Sequence, residues 1–251
     1  MSEQAVLEGL VSIQAALDSG SRDVHTLYVR RDRRDRALSS LERLARERGV
    51  PVQRVEGEVI DALASGKTHG GVAALVGPRR YLELEDLLRS SARPFIVLLD
   101  GIEDPFNFGA AVRALYAAGA DGLVVRPRNW MSAAGIVARS SAGATEWMPT
   151  AVAETASDAA DFYRAHGLAV ACAAKDRAVS IYQTDLAIPL FVVIGGEKRG
   201  ITRSFADRAD LRLEIPYGRR FPRSLGTASA VAVLAFEVMR QRVQAGTKEE
   251  R

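Results

Sequence analysis

Three stretches of this chain hold residues whose types and spacing could do chemistry. The first is DGIEDPFNFGAAVRALYAAGA, residues 100–120. It sets Arg113 inside a helix of small residues, with Gly109, Ala110 and Ala117 at i−4, i−3 and i+4. No carboxylate stands at helical spacing from that charge, and small neighbours let another molecule approach a guanidinium closely. A surface arginine over a packed alanine face, or an interface ion pair, fits the same pattern. Asp104-Pro105 and Asn107 are turn formers, and Asn107 is a candidate N-cap.

The second stretch, FVVIGGEKRGITRS (191–204), runs from an apolar strand into Gly195-Gly196. Glycines after a strand expose backbone N–H and C=O groups to a ligand, although an ordinary glycine turn reads the same way. It is neither G-x-G-x-x-G nor a Walker A sequence. Glu197 at its tip is either solvated or a ligand for a polar group. The third, LEIPYGRRFPRSLGTASAVAVLAFEVMRQR (213–242), stops a strand at Pro216 and interleaves Arg219, Arg220 and Arg223 with Tyr217 and Phe221. Basic residues among aromatics are the composition of a nucleic-acid contact, and also of a solvated loop.

The elements that must carry these segments follow from periodicity. From residue 95 onward, continuous apolar strands (95–99, 122–125, near 147–149, 168–172, 190–194, 211–215) alternate with helices (about 108–118, 132–142, 155–166, 202–207, 225–242). That alternation implies an α/β fold, with a parallel sheet flanked by helices and ligands at the carboxyl ends of strands. Residues 1–80 read as a smaller α/β unit. It has helices over Glu8–Leu17 and Ala37–Arg48 and strands over His25–Val29, Val50–Val55 and Gly71–Val76, with Gly49 as a helix-ending glycine. The polar run from Tyr81 to Pro94 is the seam. The expected division is a domain over 1–80, a linker over 81–93 and a second domain over 94–251.

Composition narrows the function classes. Of 251 residues, 47% are hydrophobic and 26% charged, a globular balance that excludes a disordered chain. The single cysteine excludes a disulfide scaffold and a cysteine zinc site. Ala228 to Phe236 is the longest apolar-rich stretch and is far short of the roughly 18–20 residues that span a bilayer. MSEQAVLEGL lacks the basic and apolar regions of a signal peptide, so a cytoplasmic location is expected. A net charge of +3 is only a slight pointer to an anionic partner. Cys172 with His166 or His25 supplies no oriented nucleophile–base pair, and the first βα turn lacks dinucleotide glycines.

Taken together, the three segments resemble the SpoU (TrmH-like) branch of the SPOUT RNA methyltransferases. Its first motif matches Asn107, Gly109, Ala110 and Arg113. Its second matches Gly195, Glu197, Gly200 and Ile201. Its third matches Ile215, Pro216, Gly218, Ser224 and Leu225. Residues 1–80, down to His69-Gly70-Gly71-Val72, look like the family's ribosomal-protein-L30e-like substrate-binding extension. One departure stands out: the family usually has Asn after Ser-Leu, and here Gly226 and Thr227 follow.

The resemblance implies a C-terminal trefoil knot and a homodimer whose active site is completed across the interface. It implies S-adenosylmethionine held at Ala173, Gly195, Gly196, Ile215, Leu225 and Thr227. The implied reaction is methyl transfer to a ribose 2′-OH in structured RNA, ribosomal RNA before transfer RNA, with no metal, membrane or DNA partner. Arg113 is then the catalytic residue, with Asn107, Glu197 and Ser224 around it. Arg30 and Arg31, in a cluster that Asp32 and Asp35 dilute, and Arg219, Arg220 and Arg223 are the RNA contacts. The competing expectation is a non-catalytic RNA- or ribosome-binding protein that keeps the fold.

Overall fold

The computed structural model describes residues 4–65, 68–127, 133–196, 198 and 200–249. The chain divides into two compact units, 1–80 with 128–147 and 81–127 with 148–251. The first opens with β1 (Ala5–Glu8), α1 (Leu10–Ser19), β2 (Arg22–Arg30), α2 (Arg36–Glu47), β3 (Val52–Val55), α3 (Gly57–Leu63) and β4 (Val72–Arg79). The chain enters the second unit through a 3-10 turn at Leu84–Leu88, then β5 (Phe95–Asp100), α4 (Pro105–Ala117) and β6 (Gly122–Val125). It returns to the first unit for α5 (Ala134–Ser140) and α6 (Ala144–Trp147). The second unit resumes with β7 (Thr150–Val152), α7 (Ala156–Ala165), β8 (Ala169–Ala173), β9 (Val179–Ser180), β10 (Leu190–Gly195), α8 (Arg203–Arg208), β11 (Leu211–Glu214) and α9 (Thr227–Glu249).

In the first unit the sheet order is β1-β4-β2-β3, with β4 antiparallel to both neighbours and β3 parallel to β2. α2 buries Leu38, Leu41 and Ala45, one stripe of a 3.6-residue period. Asp35 caps it, its Oδ1 accepting from the Leu38 N–H at 2.9 Å, and Gly49 follows the helix at φ 72°. The expected helix from Glu8 begins at Leu10 instead, because Ala5–Glu8 pairs with β4 as an edge strand. Ala5 and Leu7 are buried and Val6 half-buried, but Glu8 is buried too, so the alternation is too short to read.

Two buried carboxylates lock α5 and α6 into this unit. Glu146, its side chain 1% exposed, accepts from Arg22 Nε at 2.9 Å, Arg22 Nη2 at 3.0 Å and Ser21 Oγ at 2.5 Å. Glu8 accepts from Arg139 Nη1 at 2.7 Å and from the Ser65 N–H and Oγ at 2.5 and 2.6 Å. A carboxylate taken out of water survives only with its lone pairs filled in this way. Residues 133–147 therefore join the first unit, where the sequence placed them with the second domain.

The second unit carries a seven-stranded, wholly parallel sheet in the order β7-β6-β5-β10-β8-β11-β9. Its central strands β5 and β10 are buried almost throughout, as their unbroken apolar runs require. α4 and α9 pack against each other. The stretch 81–93, expected to be a linker, belongs to this unit. The Leu82 N–H donates to the Thr150 carbonyl at 2.9 Å, and Leu87 is buried. Leu84, Leu87 and Leu88 recur at helical spacing among the acids, and that gives the turn an apolar side to bury. The strand expected near 147–149 is shifted to Thr150–Val152, because Ala144–Trp147 is helical. α4 starts at Pro105 rather than near 108. Asp104, not Asn107, is its N-cap: Asp104 Oδ1 accepts from the Asn107 N–H at 2.7 Å, and Pro105 takes the first helical position.

Glu146→Ala is expected to lower unfolding stability by about 3–5 kcal/mol, since it strands the Arg22 guanidinium without its buried partner. Urea denaturation followed by circular dichroism checks this; a loss under about 1 kcal/mol, the value of a surface pair, would show that the pair is dispensable.

Candidate functional site

The site forms where the ends of parallel strands release their loops on one side of the sheet. β10 lies between β5 and β8, with Gly195 in register with Asp100. The next residue crosses directly over the end of β5: the Gly196 N–H donates to the Asp100 carbonyl at 2.6 Å. A Cβ on Gly196 would stand 2.0 Å from the Gly101 carbonyl oxygen, and one on Gly195 would stand 2.3 Å from the Gly200 carbonyl carbon. Only glycine permits these approaches. Lys198 Nζ, paired with Glu103 Oε2 at 2.5 Å, adds a surface contact between the same two loops.

Beside this crossing lies a cavity of about 1300 Å³. Its wall comes from the end of β8 (Ala173, Ala174), the turn after β10 (Gly195, Gly196, Gly200, Ile201), the end of β11 and its loop (Leu213, Ile215, Tyr217, Phe221, Arg223 to Gly226), and the start of α9 (Thr227, Ala230, Leu234). Residues 227, 230 and 234 share one helix face, so α9 presents its first two turns to the cavity. Ile194, Ile201, Leu213 and Ile215 offer apolar walls, and main chain without side chains lines the wall at Gly195 and Gly196. That combination fits an adenosyl group: a flat ring wants an apolar slot with a few fixed polar contacts.

The predicted residues fall into four groups. Ala173, Gly195, Gly196, Ile215, Leu225 and Thr227, expected around the cofactor, all line this one cavity, as do Ser224 and Arg223. Glu197 lies outside the described residues. Arg113 and Asn107 sit on α4 and do not line the cavity. Arg113 is exposed and makes no hydrogen bond or ion pair within the described residues. Arg219, Arg220 and Arg223 are likewise exposed and unpaired there, on a loop closed by the Leu225 N–H donating to Tyr217 Oη at 3.0 Å. Arg30 is instead tied bidentately to Asp32 at 2.7 and 3.0 Å, which raises its pKa, and Arg31 pairs with Glu56 at 2.8 Å. Such exposed pairs are weak enough to be exchanged for a phosphate.

The site expectation omitted the loop Lys175-Asp176-Arg177, which also edges the cavity, with Arg177 at φ 51°. Its only signal was position, after a strand at the carboxyl edge of a parallel sheet. Cys172 is buried in β8 and burial pushes its thiol pKa up, so it is a packing residue rather than a nucleophile.

Residues 94–236 match the SpoU rRNA Methylase family, and residues 6–82 match the RNA 2′-O ribose methyltransferase substrate binding family. The chain belongs to the SpoU rRNA methylase family. A 23S rRNA (guanosine-2′-O-)-methyltransferase of Pseudomonas putida is 32% identical to this methylase, over 96% of this chain and 98% of its own. The corresponding protein of Shewanella oneidensis is 29% identical over 96% and 99%. The AdoMet-bound rRNA methyltransferase of Sinorhizobium meliloti superposes with a TM-score of 0.79 at 26% identity, covering 95% of this chain and 87% of that one. A crystal structure of an RNA 2′-O ribose methyltransferase shares the fold at a TM-score of 0.81 and 24% identity, covering 96% and 90%. No described helix is long and apolar enough to cross a membrane.

Gly196→Ala is expected to weaken S-adenosylmethionine binding at least about tenfold, or 1.4 kcal/mol, because its Cβ must displace the backbone of the facing loop. Isothermal calorimetry reads this, and undiminished affinity would show that the crossing does not shape the cavity.

Proposed function

We propose that this methylase transfers a methyl group from S-adenosylmethionine to a ribose 2′-OH of ribosomal RNA, with a guanosine of 23S rRNA the first substrate to test. One observation carries the reading: residues from the ends of three strands and the start of α9, far apart in sequence, wall a single cavity. Ala173, Gly195, Gly196, Ile215, Leu225 and Thr227 would hold the cofactor there. When bound, it supplies a methyl group on a sulfonium that is already electrophilic.

What the chain must add is an in-line approach and a lower proton affinity at the ribose oxygen. Arg113 does the second. Its guanidinium acts by stabilising the negative charge that grows on the oxygen as the hydroxyl proton passes to water. Asn107, Glu197 and Ser224 are the polar groups that the motifs assign to the same reaction. Since Arg113 is outside the cavity of its own chain, it serves the cavity of a second copy. The paired helices α4 and α9 support a dimer: Phe106, Tyr116 and Phe236 are large apolar side chains left exposed on them.

The trefoil knot belongs to the same reading, as does work in the cytoplasm. Arg219, Arg220 and Arg223, free of protein partners among the described residues, and Arg30 and Arg31 with the first unit, residues 1–80 and 128–147, contact the RNA phosphates. The loop at Gly226, which leaves no side chain on the cavity wall, favours one rival, a fold retained for RNA binding without catalysis. Undetectable cofactor binding at millimolar concentration would select that rival.

Arg113→Ala is expected to lower methyl transfer to unmodified 23S rRNA about 100- to 1,000-fold, with cofactor affinity unchanged. Tritium transfer and calorimetry check the two halves, and retained transfer removes Arg113 from its role. At a cofactor concentration too low to fill the Gly196→Ala cavity, co-refolding Arg113→Ala chains with Gly196→Ala chains is expected to raise transfer above that of either alone, because a mixed dimer owns one intact cavity and one intact arginine. If the mixture stays inactive, the arginine works within its own chain.

A further inference from the structure

The cavity is larger than one cofactor needs. Small-molecule sites run to about 300–1,000 Å³, and this one is about 1300 Å³. Part of its wall is a loop of unusual composition. Tyr217 and Phe221 both line the wall, yet Phe221 is 53% exposed. Their ring centroids are 6.1 Å apart at 53°, so the rings lean together without stacking. Tyr217 is held in place by the bond its Oη accepts from the Leu225 N–H, which ties the start of the loop to its end. Three arginines without partners among the described residues flank Phe221, and one of them, Arg223, also lines the cavity.

An exposed aromatic ring on the wall of a cavity, with unpaired arginines beside it in the chain, has an evident use. A ribose buried in a duplex or stacked loop has to be turned out to reach a donor held in a cavity, and its base then loses its neighbours. A flat ring at the lip replaces that lost stacking for any base, since every base has a π-face. Adjacent guanidinium groups hold the phosphates on either side. We propose that Phe221, braced by Tyr217, is the platform on which the base of the target nucleotide stacks, with Arg219, Arg220 and Arg223 on the flanking phosphates. This rests on the methyl-transfer reading and deepens it.

The test uses the full chain and an unmodified 23S rRNA transcript. Phe221→Ala is expected to raise KM for the transcript about 5- to 150-fold, the range that loss of one base–aromatic stack gives. The calorimetric Kd for S-adenosylmethionine should stay within about twofold. Phe221→Trp should restore KM, and its indole fluorescence should be quenched when the transcript is added. An unchanged KM in Phe221→Ala overturns the proposal. So does a weakened cofactor Kd with KM unmoved, which would make Phe221 part of the cofactor wall. Should the wild-type chain transfer no methyl to RNA, the function fails but quenching still decides the platform: quenching keeps it, and unchanged fluorescence ends it.

Discussion

Backbone touching backbone at the ends of β5 and β10 is the constraint on which the site depends. The Gly196 amide lies on the Asp100 carbonyl, and no side chain fits between them. Because these strands are neighbours, the backbone that follows them comes into direct contact, and two glycines permit that approach. The loop after β10 then turns back on itself, with the Gly200 N–H donating to the Gly196 carbonyl at 2.9 Å, and its inner side becomes a wall of the cavity. A lining of main chain is hard to alter by substitution, because every residue type carries the same amides. Side-chain variation is left to the loop after β11, where this chain has Tyr217, Phe221 and the arginines.

Arginine serves two opposed purposes here, and desolvation decides which. In the first unit Arg22 and Arg139 are drawn to buried Glu146 and Glu8, where an unmatched charge would cost several kcal/mol. On the loop after β11 the same side chain is left exposed and makes no ion pair among the described residues. The bulk charge of +3 conceals this segregation. What matters to an anionic partner is not the sum of charges but which ones are already committed.

Much of this architecture was legible in the sequence. The strands 122–125 and 190–194 and the helix over 155–166 could be read because long apolar runs and helical stripes are strong local signals. Most of the cavity residues could be read because the second and third motifs fall at the carboxyl ends of β10 and β11, whereas the first motif's Asn107 and Arg113 do not line the cavity. What could not be read was decided by distant partners. Ala5–Glu8 is a strand only because β4 lies beside it. Residues 133–147 join the first unit through Glu146 and Arg22, more than a hundred residues apart in sequence. Asp104 took the capping role from Asn107 because Pro105, fixed at φ near −65°, suits the first helical position. The cavity edge at Lys175 to Arg177 has no motif at all.

The membership of α5 and α6 bears on how such a protein can be inherited and recombined. The first unit is not one continuous piece of gene: its last two helices are encoded inside the stretch that encodes the other unit. The backbone passes between the units three times, after residues 80, 127 and 147. A single crossover near codon 80 would pair a foreign amino-terminal segment with helices whose arginine and glutamate were selected against other partners. Exchange of RNA specificity among relatives therefore favours grafts of surface loops over swaps of whole modules.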